Sequence, residues 1–110
     1  MIRLTSDFWV QSYIARLSLV GIPAFVTLKG DLNAGAVFIK INTLNGSAIA
    51  YHRSFNPDTL SKSWVILSEG EESDVDKVLF RQKGYDPDIW IIEVEDKLGR
   101  NLLEEEGLRD

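Results

Sequence analysis

The sequence predicts a single α/β domain, with α+β as the alternative: a mixed, mostly antiparallel five-stranded sheet and two helices in the order α-β-β-β-β-α-β. Three observations predict it. Apolar residues recur at helical spacing from Ser6 to Val20; four β-branched and aromatic runs follow, separated by turn residues; and a capped helical stretch then precedes the apolar run "IWII".

In the first helix Trp9, Val10, Tyr13, Ile14, Leu17 and Val20 form one broad stripe. Thr5 or Ser6 can cap its start and Gly21 can supply a left-handed stop. The strands are expected at Ile22 to Lys29, Ala36 to Leu44, Ser47 to Phe55 and Ser63 to Ser68. Within "TLNGS", Asn45 and Gly46 suit a two-residue type I′ turn. That turn would pair Lys40 with Tyr51 and Phe38 with Arg53 on one face, and Ile41 with Ala50 and Ile39 with His52 on the other. In "SDVD", Ser73 and Asp76 have capping-box spacing, and Val75, Val78 and Leu79 give the second helix its stripe. Ile89 to Asp96 is the fifth strand. "WVIL" and "IWII" are apolar at consecutive positions, so either the helices cover opposite faces of the sheet or a partner covers one face. Residues 98–110 form an acidic tail, expected to be loosely ordered, with Leu102, Leu103 and Leu108 as its anchors.

The chain has 110 residues, of which 45% are hydrophobic, enough for one core without staples. With no Cys, disulfides and thiolate chemistry are excluded, and one His leaves only carboxylates to complete a zinc site, so no metal is expected. Seventeen acidic against twelve basic residues give a net charge of −5, which disfavours nucleic acid and anionic membranes. The polar start and the lack of a run of about 20 apolar residues point to a cytoplasmic protein.

Three groups of residues are candidates for function. The loop Lys29, Gly30, Asp31 to Gly35, with Asp86 and Asp88 nearby, has the glycines of a phosphate-cradling loop, but a strand follows it where such a loop needs a helix N-terminus. Phe8, Ser12, Ala15 and Leu19 make a second stripe on the first helix, suited to a partner helix or covered by the chain's own tail. Phe38, Lys40, Tyr51 and Arg53 would form an aromatic and cationic ladder on one sheet face. His52 is the one side chain that titrates near neutrality unaided, and it reads as a histidine at the core's edge. Carboxylates are plentiful, and one of Glu93 and Glu95 is expected to be partly buried and paired with Lys or Arg. No Walker loop, dinucleotide fingerprint, nucleophile elbow or HExxH is present, so an enzyme is unsupported and no cofactor is expected.

The phrases "RLTSDFWVQ", "GIPAFV", "KGD", "AGAVFIKINTLNG", "FNPDT" and "YDPDIWIIEVED" together resemble the small alphaproteobacterial family called domain of unknown function 1491, from Arg3 to about Leu108. The resemblance implies a bacterial, soluble, single-domain protein. It carries over no activity, cofactor or catalytic residue. The residues favour a protein–protein interaction module able to form a homodimer. The alternative is a small-molecule or nucleotide binder, or a hydrolase, centred on the 29–35 loop.

Overall fold

The computed structural model describes residues 4–109. Its elements are α1 (Ser6–Ser18), β1 (Ala24–Leu28), β2 (Val37–Asn42), β3 (Ser47–Asn56), β4 (Ser61–Glu71), α2 (Glu72–Tyr85) and β5 (Trp90–Glu95). The sheet order is β1-β5-β2-β3-β4. The β5–β2 pair is parallel and the other three are antiparallel, so the predicted mixed sheet and element order hold. The last strand enters the middle of the sheet. Its alternation explains why: Trp90, Ile92 and Val94 are buried on one face, while Ile91, Glu93 and Glu95 point to the other.

The helices lie on opposite faces. Trp9, Val10, Tyr13 and Leu17 of α1 pack with Ile39, Ile41, Trp90, Ile92 and Val94. Val75 and Leu79 of α2 pack with Phe38, Ala48, Ala50 and Ile89. Thr5 is the N-cap of α1, its Oγ1 accepting from the Phe8 amide, and Gly21 is left-handed at φ 75°.

The segment after β5 shares the α1 face. Leu103 and Leu108 are buried there, the Tyr13 hydroxyl donates to the Asn101 carbonyl at 2.8 Å, and the indole N–H groups of Trp9 and Trp64 both donate to the Leu108 carbonyl at 3.2 Å. Arg16 reaches Glu105 at 3.3 Å and the Glu106 carbonyl. One face of the sheet thus carries a helix and a strap.

Two local expectations fail. The β2–β3 turn has three residues, Leu44 to Gly46, closed by a bond from the Thr43 amide to the Ser47 carbonyl, with Leu44 and Gly46 at φ 63° and 89°. The cause lies in the polar side chains: Asn42 Oδ1 accepts from the Leu44 amide, and Asn45 Oδ1 accepts from the Ser47 amide. The register therefore slips by one, pairing Ile39 with Tyr51, Lys40 with Ala50 and Ile41 with Ile49. A slip of one sends alternate side chains to opposite faces. Tyr51 and Arg53 go to the α1 side, Phe38 and Lys40 to the α2 side, and the expected four-residue ladder does not exist.

The capping box at Ser73 and Asp76 does not form either. β4 runs straight into α2, which starts at Glu72 with no side-chain cap; the Glu72 amide bonds the Gly46 carbonyl instead. Asp76 is left free to make an ion pair. β4 is also longer than expected because it pairs with β3 over nearly its whole length, with an irregularity opposite Ala50 and Tyr51.

Candidate binding groove beside α2

Lys40 interrupts an otherwise apolar strand, and its parallel neighbour in the register is Glu93. Both face α2. The Lys40 side chain is only 6% exposed, and its Nζ lies 2.7 Å from Glu72, 2.7 Å from Asp76 and 3.2 Å from Glu93. An ammonium has three donors, and here each meets a different carboxylate. Burial disfavours the charge on Lys40, but the bonds to Asp76, Glu72 and Glu93 outweigh it and hold its pKa above the usual lysine range. Lys40 is thus permanently charged and fully engaged, a fixed post around which three carboxylates are arranged.

Each carboxylate uses one oxygen on Lys40; Asn42 Nδ2 also donates to the Glu72 oxygen already bonded there, at 3.2 Å. The second oxygens of Glu72, Asp76 and Glu93 have no protein partner among the described residues. Asp76 and Glu93, though not Glu72, line a cleft of about 320 Å³ together with Thr27, Leu28, Lys40, Leu79, Phe80, Lys83 and Ile91. Phe80 is 73% exposed at its rim. On the outer side of α2, Asp76, Lys77, Phe80 and Arg81 line a second concavity.

The cleft exists because the α2 face is half covered. Strands lie about 4.8 Å apart and a helix is about 10 Å across, so one helix shields roughly two strands. α2 packs chiefly over β3 and β4. α2 also covers Phe38 and Lys40 of β2; over β1 and the neighbouring side of β5, among the described residues, nothing takes the place that the strap takes on the other face. Phe25, Leu28 and Ile91 remain there, with Phe25 exposed.

The structure does bring the 29–35 loop beside Asp86 and Asp88, but it spends the loop's groups on itself. The Asp31 amide donates to the Asp88 carbonyl at 2.9 Å, the Gly35 amide to the Asp31 carbonyl, and the Asn33 and Ala34 amides to Asp31 Oδ2. The loop's outward carbonyls, Leu32 and Asn33, accept from the Asp7 and Ser6 amides at the start of α1. Gly30 and Gly35 are required by contact: a Cβ on either would lie under 2.5 Å from the Asp88 carbonyl oxygen. Lys29 is exposed beside the loop.

The α1 stripe is open. Phe8 and Leu19 are exposed, as is Ala15, with Ser12 half-buried, and the strap lies along the Arg16 side without covering them. Of the supposed ladder, Arg53 sits over the rings of Trp9 and Trp64, 5.1 and 4.7 Å from their centroids, and Phe38 stacks on His52 at 5.9 Å. Burial lowers the His52 pKa below its usual value. The groove residues Leu28, Phe80 and Ile91, and the Lys40 partner Glu72, escape a reading of the sequence. Their signal was the pair of charges, Lys40 and Glu93, interrupting two apolar strands that turn out to be neighbours.

A family model described as "Protein of unknown function (DUF1491)" matches residues 4–104. The chain belongs to the DUF1491 family. A DUF1491 protein from Caulobacter crescentus CB15, seen in a crystal structure, is 36% identical with a TM-score of 0.84, covering 94% of this chain and 97% of its own. An NMR structure of a DUF1491 protein from the same organism is also 36% identical, with a TM-score of 0.82 and 96% of each chain covered. A solution structure from A. tumefaciens is 25% identical, with a TM-score of 0.73 and 86% of each chain covered. No curated protein matches. The DUF1491 fold is therefore the fold of this chain over nearly its full length, and no helix among the described residues is long and apolar enough to cross a membrane.

Proposed function

We propose that the protein is an interaction module that receives a helix from a partner protein along the β1-β5 edge of its sheet, beside α2, in a cytoplasmic setting. The carrying observation is the cleft between α2 and the β1-β5 edge of the sheet: a half-buried apolar floor of Leu28 and Ile91, walled by Leu79 and Phe80, next to Asp76 and Glu93. A helix laid parallel to α2 completes the second layer in the way that layered α/β domains are built. The 29–35 loop gives less support to a nucleotide site, because the amides of Asn33 to Gly35 are already bonded. The exposed Phe8 and Leu19 leave room for self-association as a separate contact.

A photo-crosslinking residue placed at Phe80 or Phe25, with Leu98 as an exposed control, tests the reading in living cells. The expected product is one and the same partner polypeptide from Phe80 and Phe25 and none from Leu98. Equal labelling at all three positions, or no adduct at the groove, would overturn it.

A further inference from the structure

We propose that Asn45 is a site of spontaneous backbone modification, in which its side-chain amide condenses with the Gly46 nitrogen and then opens with water to aspartate or isoaspartate. The Gly46 nitrogen gives up its proton and bonds to Cγ of Asn45, and the Cγ–Nδ2 bond breaks as ammonia leaves, closing a cyclic imide. Water adding at the side-chain carbonyl reopens the ring to aspartate, and water adding at the main-chain carbonyl reopens it to isoaspartate. One water is consumed, one ammonia is released and a carboxylate is gained, with nothing oxidised or reduced.

The β2–β3 turn leaves this nitrogen open to the reaction. Asn45 and Gly46 are both exposed, and a Cβ built on Gly46 meets nothing within 4 Å, so neither a side chain nor a neighbour hinders the nitrogen. The Gly46 amide has no acceptor among the described residues. Asn45 Oδ1 accepts from the Ser47 amide at 3.1 Å, which closes a ring containing both Cγ and the Gly46 nitrogen, and it lies 2.6 Å from the Thr43 hydroxyl. Both donors are thus aimed at the oxygen on which negative charge develops as the nitrogen adds. The other four asparagines lack this combination. The nitrogens after Asn42 and Asn33 are already bonded, the Thr43 amide to the Ser47 carbonyl and the Ala34 amide to Asp31 Oδ2. Asn56 precedes Pro57, whose nitrogen carries no proton. Asn101 precedes the bulkier Leu102, and its carbonyl is held by the Tyr13 hydroxyl at 2.8 Å.

Aspartate keeps the acceptor on which the turn depends, whereas isoaspartate adds a methylene to the main chain between the Thr43 and Ser47 ends of the turn. The Gly46 carbonyl accepts from the Glu72 amide at 2.9 Å, and Glu72 holds Lys40, so the isoaspartyl form disturbs the start of α2 and the ion cluster.

The test holds the full chain in mildly alkaline buffer beside a synthetic peptide of residues 41–48, and maps both by digestion and mass spectrometry. Expected are aspartyl and isoaspartyl products at residue 45 in both samples, no conversion at the other four asparagines, and a shifted Glu72 amide in the isoaspartyl fraction. Thr43→Val, which removes one of the two donors, should slow conversion in the folded chain by about fivefold. The proposal is overturned if Asn45 stays intact in the chain while the free peptide converts, or if the other asparagines convert as fast. An unchanged rate in Thr43→Val would overturn the part given to its hydroxyl.

Discussion

Replacing Lys40 with Met keeps the bulk of the side chain and removes the charge around which the groove is arranged. In a fully buried pair, deleting one partner costs about 3–5 kcal/mol, because the other charge is stranded. Here the stranded groups differ. Glu93 is 19% exposed and has little water to turn to, whereas Glu72 and Asp76 are 35% and 52% exposed and can rehydrate. Taking Glu93 near the low end of that range and discounting the other two gives about 2–3 kcal/mol for Lys40→Met. For a chain of 110 residues, an unfolding entropy of about 0.2 kcal/mol per kelvin turns this into a fall in Tm of roughly 10 °C. Urea unfolding followed by the fluorescence of Trp9, Trp64 and Trp90, all buried on the α1 side, reads the change without a label. Lys40→Met with Glu93→Gln should recover at least half of the loss, since the stranded charge is then removed as well. If Lys40→Met matches the native midpoint, or if the double variant is no better than the single one, the ion cluster is not the organising element argued above.

Other outcomes follow from the same structure. Because the pKa of Lys40 is raised in the folded state, its stabilisation is complete below the unfolded lysine value of about 10.4 and is lost as pH climbs towards the folded value. The gap in urea midpoint between the native chain and Lys40→Met should therefore be steady from pH 7 to 10 and narrow only above that. Leu108→Ala should cost about 3–4 kcal/mol by leaving a cavity in the core on the α1 side, measured in the same assay; a loss below about 1 kcal/mol would mean that the strap is not part of the core. Gly30→Ala places a Cβ 2.3 Å from the Asp88 carbonyl oxygen and should destabilise by about 2 kcal/mol or more, whereas Gly84→Ala, in open space within α2, should stabilise by about 0.5–1 kcal/mol.

How far the sequence could be read depended on the range of the interaction. The α1 stripe, its Thr5 cap and the strand runs depend on neighbours a few residues apart, and those were legible. The β2–β3 register was not. Asn-Gly is a strong two-residue turn signal, but three side-chain oxygens at Asn42, Thr43 and Asn45 bond the local backbone and stabilise a longer turn. The same limit hid the groove. Lys40 and Glu93 are 53 positions apart, and only the insertion of β5 between β1 and β2 makes them neighbours. Seeing helices on opposite faces was within reach of the apolar runs; seeing that one of those faces has a strap and the other an opening required knowing where residues 101–108 go.

The openness of the β1-β5 surface beside α2 is the claim on which the rest depends, and solvent relaxation measures it directly. A soluble paramagnetic agent added to the isolated protein should strongly broaden the Phe80 ring and clearly broaden the Leu28 and Ile91 methyls, while leaving Ile39 and Ile92, on the α1 side, sharp. If Leu28, Phe80 and Ile91 stay as sharp as Ile92 in the monomer, the surface is already covered and no partner helix has a place to dock.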